Sequence, residues 1–195
     1  MYPLATPQLR PVRADDLQPM RRFVQALSPQ SRRLRFHGGV KPDGEHMLRH
    51  LTQAEGRRHM AWVAVLPCDD GESIVGEARC VCGTEASAEF AIAVADSWQG
   101  SGLAGALMQA LLRDAAAAGI HTLSGDVLTD NPRMAAFMRR QGFAAGAPAL
   151  GGVQPWERRL QPSRAPAAAA PARVPAWLAA ALQRLAPRRW AQASS

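Results

Sequence analysis

The pattern of apolar and polar positions divides the chain into a helical opening, a strand-rich middle and an alternating strand and helix run that ends near residue 160. Leu9 to Val12 is a short candidate strand. Asp15 and Asp16 then open a helical pattern in which Leu17, Met20, Phe23, Val24 and Leu27 recur three or four residues apart until Ser28-Pro29. A second short helix is predicted from Pro29 to Phe36 and a third from Asp43 to Leu51, with the Gly-bearing loop His37 to Lys41 between them. Met60 to Leu66 reads as a strand, Pro67 to Gly71 as a turn, and Ser73 to Cys82 as the antiparallel partner.

The segment around which the rest is arranged runs from Phe90 to Leu112. It is an unbroken apolar run, then a polar glycine-bearing turn at Asp96 to Gly102, then apolar residues at helical spacing. The helix is predicted from Ser101 to Ala118, with Leu103, Leu107, Ala110, Leu111 and Asp114 tracking around it and Gly119 as its C-cap. His121 to Leu128 follows as a strand parallel to Glu89 to Val94, joined through that helix in a right-handed βαβ unit. Thr129-Asp130-Asn131-Pro132 opens the next helix, with Asp130 or Asn131 as the cap and Pro132 in the first turn. Gly142-Phe143 leads into a last hairpin, with Phe143 to Leu150 and Val153 to Leu160 as strands around Gly151-Gly152.

A strand, a tight loop and a helix N-terminus make an anion site, because first-turn N–H groups lack intrahelical acceptors and the helix dipole adds positive charge. Gly100 and Gly102 let backbone approach a ligand, and Gly102 can adopt positive φ. The ligand expected there is a pyrophosphate. A P-loop is excluded, since the sole lysine of the chain is Lys41. Gly100 to Gly105 satisfies the dinucleotide spacing Gly-x-Gly-x-x-Gly, with Asp126 at a suitable distance. That motif should open the first βαβ unit, however, and here strands precede it.

Gln99-Gly100-Ser101-Gly102-Leu103-Ala104 has the form Gln/Arg-x-x-Gly-x-Gly/Ala and follows Ile92-Ala93-Val94 at the right distance. It resembles the acetyl-CoA-binding motif of the GNAT N-acetyltransferase superfamily. The run from Asn131 to Phe143, NPRMAAFMRRQGF, is similar to that family's later helix-and-strand segment. The stretch RPVRADD followed by LSPQSRRLRFHGG also resembles the GNAT domain of bacterial Pat-type protein-lysine acetyltransferases.

The resemblance implies an α/β GNAT fold: a mixed, mostly antiparallel sheet whose central parallel strand pair is splayed for CoA, flanked by helices, over about residues 8–160. It further implies that Ile92, Ala93 and Val94 bind the pantetheine arm through backbone groups. Gln99, Gly100, Ser101, Gly102, Leu103 and Ala104 would hold the pyrophosphate, and Asn131 would hydrogen-bond the arm or serve only as a helix cap. The two N-terminal helices would flank the acceptor groove, with Trp156 and Leu160 packing on that side.

Glu89 alternates with Ala91 and Ala93 on one strand face, opposite Phe90, Ile92 and Val94. An amine must lose a proton before it attacks a thioester, and a desolvated glutamate can take it. Ala88-Glu89-Phe90-Ala91 fits the Pat-type pattern whose Glu is the proposed base; the alternative is a strand-edge carboxylate paired with an arginine. Met138 stands where many GNAT enzymes have the tyrosine that returns a proton to the CoA thiolate, and the only tyrosine is Tyr2. Ser97, Ser101 and Ser124 are conceivable substitutes.

Length and charge refine this picture. The 195 residues suffice for one domain with chain left over. There is no basic segment followed by an apolar one at the start and no apolar run of about 18 residues, so a cytoplasmic protein is expected. Of the net +7, Trp156 to Ser195 carries +6 from seven Arg and one Glu, leaving +1, so no nucleic-acid face is expected on the core. Residues 161–195 read as a Pro/Ala linker and a short basic amphipathic tail suited to a membrane surface or partner groove, or to docking on its own domain. Cys68, Cys80 and Cys82 form no disulfide framework; His46 and His50 have metal-ligand spacing but no completing ligands, so no metal is expected. The implied function is acetyl transfer from acetyl-CoA to a primary amine, a protein lysine first, with an aminoglycoside or polyamine second and a non-catalytic acyl-CoA sensor or adaptor third.

Overall fold

The structure, a computed structural model, describes residues 6–37, 44–54, 56–84, 86–147 and 151–161; the predicted tail lies outside the described residues. The strands are β1 (Gln8–Pro11), β2 (His59–Cys68), β3 (Gly71–Cys82), β4 (Ser87–Val94), β5 (Thr122–Leu128), β6 (Ala144–Ala145) and β7 (Val153–Arg159). The helices are α1 (Leu17–Ala26), α2 (Pro29–Phe36), α3 (Glu45–Thr52), α4 (Leu103–Ala117) and α5 (Pro132–Arg140). The strands form one seven-stranded sheet in the order β1-β2-β3-β4-β5-β7-β6. Every neighbouring pair is antiparallel except β4 and β5, which the helical crossover α4 makes parallel.

Alternation along the strands sends apolar side chains to two cores. On one face Leu103, Leu107 and Leu111 of α4 pack with Val75, Ala78, Cys80, Phe90 and Leu123 in a single buried cluster. On the other, Met20, Phe23 and Val24 of α1 and Leu48 and Leu51 of α3 share a cluster with Val63, Val65 and Ile74. Helix α2 is different: it contributes no buried side chain and begins with Ser28, whose hydroxyl accepts from Ser31 N.

Three expectations are corrected. The turn placed at Pro67 to Gly71 is shorter, because β2 continues through Pro67 to Cys68, paired with Gly71. The strand expected from Phe143 reduces to Ala144–Ala145 at the sheet edge, with 148–150 outside the described residues. Trp156 does not pack on the α1–α3 side: it is 1 % exposed in the α4-side core, under the Arg139 guanidinium, and Leu160 packs against that same core. Its register opposite Gly125 fixes this parity and sends the neighbouring Glu157, opposite Ser124, to the other face.

Among the described residues, no helix is long and apolar enough to cross a membrane.

Candidate active site

The parallel ladder between β4 and β5 is short. Ser87, Ala88 and Glu89 pair with Thr122, Leu123 and Ser124, and there the register ends, although β4 stays paired with β3 as far as Val94. Beyond Glu89 the two strands diverge, so peptide groups of Ala91 to Val94 that face β5 have no ladder partner there. A slot with a hydrogen-bonding wall results.

The divergence begins where Phe90 meets Gly125. A Cβ on Gly125 would stand 2.4 Å from a Phe90 ring carbon, and the same ring lies 5.1 Å from that of Phe143. Only a residue without a side chain fits beneath it. Gly125→Ala is therefore expected to cost about 1–3 kcal/mol by overpacking, read as a fall of several degrees in the thermal midpoint. An unchanged midpoint would show that the ring yields freely.

The open end of the slot leads into the glycine loop. After a 3-10 turn at Asp96–Trp98, Gly100 (φ 82°) and Gly102 (φ 89°) take left-handed conformations, and α4 starts at Leu103. The N–H groups of Gly102, Ala104 and Gly105 have no acceptor among the described residues, whereas Ser101 N bonds Trp98 O and Leu103 N bonds the Ser101 hydroxyl. The loop thus offers backbone donors rather than side chains: Leu103 is fully buried, and Ser101 is buried with its hydroxyl donating to Trp98 O at 2.6 Å. The Gln99 amide is used internally, donating to Val94 O and to the Ser31 hydroxyl.

The remaining predicted cofactor residues part company. Asn131 caps α5, its Oδ1 accepting from Met134 N at 3.1 Å, at the end of the loop that follows β5. Met138 is a correction: it is 0 % exposed within the α4-side core, so its side chain does not line the slot. The apolar thioether belongs with Phe143 and Trp156 in that cluster, a place where a tyrosine hydroxyl would need a partner.

Glu89 stands at the closed end of the slot, on the last rung of the ladder. It is solvent-exposed rather than desolvated, and no arginine pairs with it among the described residues, which removes the reading as an ion-paired edge carboxylate. It borders a cavity of about 340 Å³ walled by Arg35 and Phe36 of α2, Met47 and Leu51 of α3, and Val81 of β3. Ser124, its partner on β5, is the one of the predicted serines in register with it, its hydroxyl 3.4 Å from Ala88 O. Ser97 lies on the exposed 3-10 turn and Ser101 is committed to the loop.

Beneath the cavity lies a charge network that sequence reasoning missed. Glu77 is 2 % exposed and bonds Arg35 at 2.7 Å and Arg79 at 2.7 Å. Arg79 also donates to the carbonyls of His50 and Leu51 at the end of α3 and contacts His59 Nε2 at 3.0 Å. Burial opposes ionisation of Glu77, but the two guanidiniums prevail and hold its carboxyl at about 2. Burial and then the Arg79 charge push His59 down to about 4. Its ring lies 4.9 Å from that of the exposed His50.

Both shifts leave the unfolded chain binding more protons than the folded one in acid, so stability falls as pH falls. The His59 contribution is lost between about 6.5 and 4, and the Glu77 contribution from about 4.5 toward 2. Thermal midpoints measured from pH 7 to pH 3 are expected to drop progressively through both windows. A level profile between pH 7 and 5 would remove His59 from the account.

Among the described residues no group of three or more His, Cys, Asp or Glu could hold a metal ion. Residues 8–144 match the family model described as acetyltransferase (GNAT) domain. An acetyltransferase of Pseudomonas aeruginosa is 35% identical over 105 residues, covering 53% of this chain and 56% of that protein. Acetyltransferase Pat of Mycolicibacterium smegmatis is 32% identical over 138 residues, covering 69% of this chain and 40% of that protein. The chain thus spans about half the length of the curated relatives it matches. The crystal structure of the GNAT domain of S. lividans PAT superposes with a TM-score of 0.71 at 22% identity, covering 79% of this chain and 90% of that one. With the family model covering most of the described core, the chain belongs to the GNAT acetyltransferase family.

Proposed function

We propose that the chain transfers an acetyl group from acetyl-CoA directly to a primary amine, most readily a lysine on a protein. The observation that carries this reading is the coincidence of the slot's closed end with Glu89. An acyl-CoA whose pyrophosphate sits on the free N–H groups after Gly100 threads its arm back along Ala91 to Val94 and delivers the thioester beside that carboxylate. Glu89 takes the proton from the amine, directly or through water, and the nitrogen attacks the thioester carbonyl. The C–N bond forms as the C–S bond breaks, and the CoA thiolate leaves. A thiolate with a conjugate acid near pKa 8.5 departs without a strong acid, so solvent, or the Ser124 hydroxyl nearby, can return the proton. Preformed N–H donors need no reorganisation to hold the phosphates.

A protein lysine is supported by the exposure of Glu89 and by the likeness to Acetyltransferase Pat of Mycolicibacterium smegmatis. The exposed carboxylates Asp126 and Glu157 suit a cationic chain. The second reading, an acyl-CoA sensor without turnover, is favoured by the burial of Met138 in place of a slot-facing acid.

The test is release of free CoA from acetyl-CoA against a panel of amines and lysine peptides, alongside calorimetric binding of acetyl-CoA. Binding with acceptor-dependent release supports the transferase. Binding with no release on any acceptor favours the sensor, and no binding overturns both.

A further inference from the structure

A cation reaches the glycine loop from across the slot. Arg133 lies in the first turn of α5, delivered by β5, whereas Gln99 and Gly100 belong to the loop delivered by β4. Its Nη1 donates to Gln99 Oε1 at 3.0 Å, and its Nη2 lies 3.2 Å from where a Cβ on Gly100 would stand. The guanidinium therefore spans the mouth of the slot, over the turn that leads to the free N–H groups of Gly102, Ala104 and Gly105. It is exposed, and among the described residues its hydrogen-bond acceptor is a neutral amide and no carboxylate pairs with it. The other cation at this rim, Arg33, is already matched with Asp130 at 2.7 Å.

A guanidinium held by a neutral partner beside a row of unpaired N–H groups is a charge awaiting an anion. Backbone donors supply direction but only partial charge, and the guanidinium adds the full positive charge they lack. We infer that Arg133 is a phosphate ligand for the cofactor, exchanging or sharing its bond to Gln99 for one to a phosphate of CoA. Glycine at position 100 keeps the approach clear, since a side chain there would meet Nη2. This inference rests on the reading of the slot as an acyl-CoA site.

The test is calorimetric titration of the full chain with acetyl-CoA for wild type, Arg133→Gln and Arg133→Lys. Gln keeps a donor without the charge, and Lys keeps the charge without the fork. Arg133→Gln is expected to raise Kd about tenfold, as for loss of one charge-assisted contact, while Arg133→Lys stays within about threefold of wild type. Repeating the pair with 3′-dephospho acetyl-CoA locates the contact. An equal loss on both ligands supports the pyrophosphate as the partner, and a loss confined to acetyl-CoA supports the 3′-phosphate. Unchanged affinity in Arg133→Gln overturns the assignment, and so does an equal loss in both variants, which marks a brace for Gln99. If wild type binds no acetyl-CoA, the reading of the slot falls and Arg133 with it; if wild type binds and Arg133→Gln is undiminished, only Arg133 falls.

Discussion

Glu89→Gln is expected to lower turnover about a hundredfold or more, the ordinary range for removing a general base, while the Kd for acetyl-CoA stays within about twofold. The split follows from where Glu89 stands. Its side chain is exposed, points away from the α4-side core, and makes no ion pair among the described residues, so an isosteric amide leaves folding intact. The handholds proposed for the cofactor are elsewhere, in the peptide groups of Ala91 to Val94 and the N–H groups after Gly100. Turnover with the best acceptor and calorimetric affinity are measured on the same preparation. Turnover within about threefold of wild type would remove Glu89 from the chemistry; a parallel loss of affinity would make its role structural.

Glu77→Ala carries the largest expected loss of stability. Removing the carboxylate strands Arg79, whose side chain is 4 % exposed, beside Arg35 at 11 % with no counter-charge. Breaking one side of a buried pair costs about 3–5 kcal/mol, which for a domain of this size lowers the thermal midpoint by roughly 6–20 °C. Arg79 also ties the end of α3 and Arg35 ties α2, so the cavity wall loosens with it. Glu77→Gln, which keeps the volume and one acceptor, should fall between. A midpoint within about 2 °C of wild type for Glu77→Ala would show that water reaches the two arginines and the network is not sealed.

Much of the fold was legible because its periods are clean. Phe90, Ile92 and Val94 against Glu89, Ala91 and Ala93 give the parity of β4, and the structure keeps it. Gly100 and Gly102 mark the loop, and both take the left-handed conformation. The start of the splay was not readable from residues, because it coincides with a contact between Phe90 and Gly125, on different strands, that no local pattern announces. Trp156 faces the α4-side core rather than the acceptor side for a related reason: strand parity there depends on its register with Gly125, not on the turn that precedes it. Glu77 and Arg79 look like the solvated face of a strand, since alternation cannot tell a wet polar face from a buried one that balances its own charge. The desolvation expected at Glu89 is absent because Ala91 and Ala93 leave that side of β4 open.

Helix α2 spans from one lip of the gap to the other. Ser28 and Ser31 hold it to Asp96 beyond β4, Arg33 holds it to Asp130 beyond β5, and none of its side chains is buried. Its attachments at both ends are polar, and only Arg35, through Glu77, and Phe36, packed on the α1–α3 core, tie it to the interior. A lineage that rewrites α2 outside Arg35 and Phe36 alters the cavity wall beside Glu89 without repacking either core, and the slot between β4 and β5 is left as it was. Under the proposed function, substrate range and catalytic machinery therefore evolve at separate rates in this chain, one through exposed polar positions that tolerate exchange and the other through strand register that does not.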